Sequence, residues 1–135
     1  MSLRYLLDTN VLSEVIRRPR GRVAGRIVDV GEEAICTSIV VAAELRYGAE
    51  KSGSEALAER VDLVLSALEV LPLEAPAERR YGVIRHHLTG LGKLIGPNDL
   101  LIAAYALAAN LTLVTANTRE FECVPGLRVE NWLAE

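Results

Sequence analysis

The segment Leu3-Arg4-Tyr5-Leu6-Leu7-Asp8-Thr9-Asn10 decides how the rest of the chain is read. Residues 3–7 are mostly apolar and run straight into an acid followed by two residue types that cap helices. An apolar run this short suits a buried strand of a parallel sheet, whose side chains meet helices on both faces. Asp8, Thr9 and Asn10 predict a helix that starts at once and runs to about Arg18, where Pro19 stops it. A strand that ends in an acid and passes directly into a helix places that acid at the sheet edge where α/β proteins bind their ligands.

Working outward, the same alternation recurs. Short apolar runs at 34–37, 69–73, 111–115 and 127–130 read as further strands, with Pro72 marking an end or an edge. Helices are predicted around 23–30, over 39–51 with Ser38 as cap, and over 55–67 on a Leu57/Val61/Val64/Leu65/Leu68 stripe. Another opens with Pro76 at its first helical position and runs to about Leu88. A last one is capped by Asn98 and reaches Ala109, after a loop holding Gly90, Gly92, Gly96 and Pro97. Residues 115–121 read as a loop. Strands alternating with helices predict an α/β sandwich, a mainly parallel central sheet flanked by helices, built as one domain over residues 1–135.

Composition agrees. The chain has 135 residues, half of them apolar and 24% charged, which excludes disorder and a disulfide scaffold. Fifteen Lys and Arg against eighteen Asp and Glu leave a net charge of −3, so a strongly basic nucleic-acid coat protein is excluded while a local basic patch is not. Cys36 and Cys123 are far apart and form no CxxC pair; buried apolar filling is the expected role for both. The longest apolar run, residues 100–109, falls short of the roughly 20 residues of a membrane span. No secretory signal opens the sequence, so a cytoplasmic protein without a membrane anchor is expected.

Three acids stand out by position. Asp8 follows the first strand. Glu44 shares a helix surface with Val40, Val41, Tyr47 and Gly48, while Arg46 and Glu50 point roughly 140° away. Asp99 sits in the first turn of the most apolar helix, with Ile102, Ala103 and Ala106 on its face. Each has an ordinary explanation: a cap for Asp8 and Asp99, an ion pair with Arg or Lys for Glu44. Together they form a set of inward or strand-end carboxylates, and oxygen donors without His or Cys suit Mg2+ or Mn2+. The loop after the fourth strand adds Thr115, Asn117 and Glu120 as supporting candidates.

With these residues in view, a resemblance is apparent. Leu6-Leu7-Asp8-Thr9-Asn10, Ala42-Ala43-Glu44-Leu45, Asn98-Asp99-Leu100-Leu101-Ile102-Ala103-Ala104 and residues 113–121 (LVTANTREF) resemble the PIN-domain ribonucleases, and most closely the VapC toxins of toxin–antitoxin pairs. The ending at 124–132 (VPGLRVENW) is similar too. The resemblance implies a PIN-like three-layer sandwich and an Mg2+- or Mn2+-dependent endoribonuclease. It implies a homodimer and inhibition by a cognate antitoxin lying across the early helices. It makes Asp8, Glu44 and Asp99 the acidic metal ligands and Thr115 the hydroxyl beside them, with Thr9 and Asn10 supporting Asp8. The family's fourth acid falls at Asn117, an amide here, which leaves Glu120 as a possible substitute. The implied reaction is in-line attack of water on an RNA phosphate, leaving a 5′-phosphate and a 3′-hydroxyl.

RNA needs positive charge near such a site. Arg17, Arg18, Arg20, Arg22 and Arg26 cluster around the Pro19 break, and Arg79, Arg80, Arg85 and Lys93 are further candidates; any of them also suits a solvated face. His86 and His87 project roughly 100° apart on a helix and make a poor metal pair. A mean hydropathy of +0.22 points to apolar surface used in assembly. Two alternatives stand beside the ribonuclease reading. One is a non-catalytic PIN-like binding module, favoured by Asn117. The other is a haloacid-dehalogenase-like phosphatase, which also puts an Asp after its first strand but needs a second acid where this chain has Asn10.

Overall fold

A computed structural model describes residues 2–134. Five strands form one sheet in the order β3-β2-β1-β4-β5, all parallel: β1 Tyr5–Leu7, β2 Ile35–Ser38, β3 Glu69–Leu71, β4 Thr112–Val114 and β5 Val129–Glu130. Among the described residues seven α-helices flank it: α1 Thr9–Arg17, α2 Arg22–Val30, α3 Ile39–Ser52, α4 Glu55–Ala67, α5 Ala77–Gly90, α6 Pro97–Ala108 and α7 Thr118–Phe121. The layering follows from β1. Leu6 and Leu7 point to opposite faces of the sheet, and both are fully buried, so helices cover both sides. Leu6 pairs in register with Cys36 on one side and Leu113 on the other, which puts three buried side chains in one row across the centre of the sheet.

The expected alternation of strands and helices is present, with shorter strands. β3 stops at Leu71, with Pro72 just beyond it on the edge strand, because proline cannot donate to a ladder. Two helix starts differ from expectation. Pro97, not Asn98, begins α6: proline lacks only an amide hydrogen that the first helical position would leave unpaired, and Gly96 takes the extended cap conformation before it. Pro76 is the cap residue of α5 rather than its first helical residue, since its ψ of 28° lies outside the helix, and the Ala75–Pro76 bond is cis. The expected loop at 115–121 contains α7, a single turn, and a 3-10 turn at Glu32–Ala34 precedes β2. Gly53 ends α3 at φ 68°, a left-handed conformation that glycine takes without a steric penalty.

The strand order runs one way from β1 to β2 and the other way from β1 to β4. The reversal opens a crevice at the carboxyl ends of β1 and β4. Asp8 follows β1 and Thr115 follows β4, so both lie at that crevice. Trp132 belongs to the core, and so does Cys36, as expected of it; Cys123, expected to be buried as well, is only half buried. No helix among the described residues is long and apolar enough to cross a membrane.

Candidate active site

Asp8 performs both of the roles open to it. It caps α1, its Oδ1 accepting the Thr9 backbone N–H at 2.8 Å. Its Oδ2 accepts the Thr115 hydroxyl at 2.7 Å and lies 3.5 Å from the Asn10 amide. Burial pushes its carboxyl above the ordinary range; the hydrogen bonds from Thr115 and Thr9 pull it back, and the charges of Glu44 and Glu120 push it up again. Thr115 is therefore the group that most favours an ionised Asp8 at this depth. Asn10 ties the crevice together: its Oδ1 accepts the Ala116 N–H at 2.9 Å and its amide also reaches the Thr115 hydroxyl at 3.5 Å.

Glu44, on the second turn of α3, is half buried. Its partners are the Thr9 hydroxyl, which donates to Oε1, and the Asn98 amide, which donates to Oε2 at 3.4 Å. Neither is a cation, so the ion-pair explanation of Glu44 does not apply. Thr9 thus serves two acids, with its backbone on Asp8 and its hydroxyl on Glu44. Asn98, expected as a cap, is freed from that task by Gly96-Pro97 and holds Glu44 instead. The Gly96-Pro97 dipeptide was the signal for it, because proline prefers the first helical position.

Asp99 lies in the first turn of α6, and its carboxyl is pushed up to about 7. Burial is the main cause. Next come the charge of Glu120 and a hydrogen bond with its side chain, and then the charges of Asp8 and Glu44. Four acids from four separate segments therefore feel one another. Glu120, carried by α7, is the fourth, while Asn117 is exposed at the head of α7 with its backbone N–H on the Thr115 hydroxyl at 3.1 Å. Among the described residues no ion pair reaches any of the four; the ion-paired acids are Glu14, Asp62 and Glu130.

Hydroxyl, amide and carboxylate oxygens are the donor set of a hard divalent cation, and crowded acids without a compensating Arg or Lys favour one. Among the described residues, no three carboxylate, His or Cys side chains form a ready-made cage, so the expected joint hold by Asp8, Glu44 and Asp99 is not preformed. Mg2+ does not require such a cage: it keeps several waters and takes one or two protein carboxylates.

The arginines separate by position. Glu14 on α1 accepts from Arg17 at 3.0 Å and from Arg18 at 2.7 and 2.9 Å. Arg26 faces Glu130 at 3.6 Å and stacks on Trp132, which assigns it to the fold. Arg20 and Arg22 are exposed, on the turn before α2 and on its first residue. Arg17 alone of the five lines a groove that also contains Glu44. Asn10, the position at which a phosphatase of the haloacid-dehalogenase type needs its second acid, is engaged with Asp8, Thr115 and Ala116.

Comparison with known proteins bears on these assignments. The PIN-domain family model matches residues 5–127. Ribonuclease VapC2 of Haemophilus influenzae is 41% identical over 132 residues, spanning 97% of this chain and 99% of that protein. The tRNA(fMet)-specific endonuclease VapC of Shigella flexneri is 39% identical over 134 residues, 96% and 98% of the two chains. In three dimensions, the crystal structure of VapBC2 from Rickettsia felis bound to a DNA fragment from its promoter superposes with a TM-score of 0.89 at 38% identity, covering 98% of this chain and 99% of that one. A parallel sheet in this strand order, acids gathered at its switch point and relatives matched almost end to end lead to one conclusion: the chain belongs to the PIN-domain ribonucleases of the VapC family.

Proposed function

We propose that the protein is a metal-dependent endoribonuclease whose toxicity is held in check by a cognate antitoxin. The observation that carries this reading is the meeting of Asp8, Glu44, Asp99 and Glu120 at the β1/β4 crevice, with Asp99 pushed up to about 7 first by burial and then by the charges of Glu120, Asp8 and Glu44. Asp8 and Asp99 would hold Mg2+ or Mn2+, with Glu44 and Glu120 completing the site directly or through water. Such an ion, when bound, neutralises the acids and the phosphate they would otherwise repel. The chain's own groups then do the rest. Thr115 donates to Asp8 and so favours its ionised form against the effect of burial. Thr9 and Asn98 fix Glu44, which accepts a hydrogen bond from the attacking water. Attack on phosphorus breaks the bond to the 3′-oxygen, and the products are a 3′-hydroxyl and a 5′-phosphate.

The antitoxin reading rests on a groove of about 270 Å3 between α1, α2 and α4, walled by Leu12, Val15, Ile27 and Val64, with Val28 exposed at 78% on its rim. Solved structures similar to this chain include VapBC complexes, and an apolar peptide face suits that groove. A homodimer would cover the exposed apolar side chains Ile39, Tyr47 and Val83. A cytoplasmic location fits an RNA target.

The decisive experiment incubates the purified chain with RNA and Mg2+ beside two controls, excess chelator and Asp8→Ala. Cleavage lost in both supports the proposal. Cleavage surviving both overturns it. If the wild type neither cleaves RNA nor binds Mn2+ in a calorimeter, the non-catalytic binding module takes its place.

A further inference from the structure

A second groove, of about 370 Å3, lies between α1, α3 and α4, and it opens onto the acid site because Thr9 and Glu44 belong to both. Its floor is aliphatic: Ile16, Leu45, Leu57 and Val61 line it. Polar groups stand at its two ends. Thr9 and Glu44 mark the end at the acids, Ser13 comes next along α1, and Arg17 closes the far end with its guanidinium largely in water. The helix rise places Arg17 about 12 Å along α1 from Thr9. Glu14 holds Arg17 through one nitrogen at 3.0 Å, which leaves the other donors of the fork for a second anion.

We propose that this groove seats a nucleobase next to the cleaved bond of single-stranded RNA, with Arg17 pairing a phosphate further along the same strand. The inference rests on the ribonuclease reading and names the form of its substrate. Three features support it. A strand whose phosphate lies at the acids has the groove as its continuation, since Glu44 is shared. The volume and lining, apolar with a few polar groups at the ends, are those of a small-ligand pocket rather than of a duplex surface. A base lifted out of a single strand is recognised by apolar side chains against its faces and hydrogen bonds at its edge, and Ser13 supplies both a donor and an acceptor. Arg17 then gives the positive charge that the acid site itself lacks.

Gly48 makes the test clean. It lines the groove from α3, and a Cβ added there meets nothing within 4 Å. Gly48→Leu therefore fills the groove from a helical position where leucine is better tolerated than glycine. The probe is a fluorescent single-stranded oligoribonucleotide, measured by anisotropy with the full chain in chelator and by cleavage in Mg2+. Gly48→Leu is expected to weaken RNA binding about tenfold with the melting temperature unchanged or raised and Mn2+ uptake unchanged. Arg17→Gln should weaken it and flatten its salt dependence. An abasic nucleotide beside the cleaved bond should weaken binding to the wild type but not to Gly48→Leu. Equal RNA affinity of wild type and Gly48→Leu overturns the groove assignment and leaves the groove to a protein segment, whether or not RNA is cleaved. If the wild type does not cleave RNA, the ribonuclease reading fails, while the binding comparison still decides the groove.

Discussion

Replacing Asp99 by Asn should stabilise the metal-free protein above neutral pH, although it removes a charged residue from a helix N-terminus. In the unfolded chain this carboxyl loses its proton near 3.8; in the folded protein it keeps it to about 7. Folding therefore takes up a proton between those values, and stability falls as pH rises through that window. Complete linkage would amount to about 4 kcal/mol. Asp99 is half open to water, and screening there leaves about 1–2 kcal/mol. The positive end of α6 returns about 0.3–1 kcal/mol to the charged form, so the net gain from Asn is about 1 kcal/mol, or about 3–5 °C in a chain of this size. The amide still offers Glu120 a hydrogen bond, so the pairing is kept. The assay is thermal unfolding in chelator at pH 4.5 and pH 8, repeated with Mn2+. The variant should melt higher at pH 8 and close to wild type at pH 4.5. Added Mn2+ should raise the wild type more, because an ion bound only by the folded state stabilises it. A variant that melts no higher than wild type at pH 8, or gains equally at both pH values, would show that Asp99 is a structural cap and would refute the argument from crowded acids.

Other outcomes follow from particular contacts. Thr115→Val removes the 2.7 Å hydrogen bond to Asp8 while keeping the shape, so in metal-free protein the Asp8 carboxyl should titrate at higher pH by NMR, and Mn2+ affinity should drop about 10–100-fold. Asn98→Ala should lower cleavage without changing the melting temperature by more than a few degrees, since Asn98 holds Glu44 and does not cap α6; a large loss of stability would return it to the capping role. Val28→Asp, on the rim of the α1–α2–α4 groove, should leave RNA cleavage intact and abolish co-purification with the antitoxin; retained co-purification would move the partner elsewhere. Leu7→Ala, fully buried in the central strand, should cost about 2–5 kcal/mol by denaturant unfolding.

The fold class and the three leading acid candidates were legible in the order of amino acids alone, because both are local patterns. An apolar run ending in Asp8 marks a buried strand and a site at its end, and the 3.6-residue period puts Glu44 and Asp99 on inward faces. Which groups meet is set by how the elements pack. Glu120 reaches Asp99 from α7, Asn98 reaches Glu44 from α6, and Thr9 divides itself between Asp8 and Glu44. These pairs lie up to 54 residues apart in sequence, as Glu44 and Asn98 do, and no local periodicity encodes such distances. The sheet order brings β1 beside β4, and that neighbourhood sets Thr115 against Asp8, where its hydrogen bond lowers the proton affinity that burial raises. Proton affinity depends on burial and on charges arriving from other elements, and those are fixed only when the elements pack.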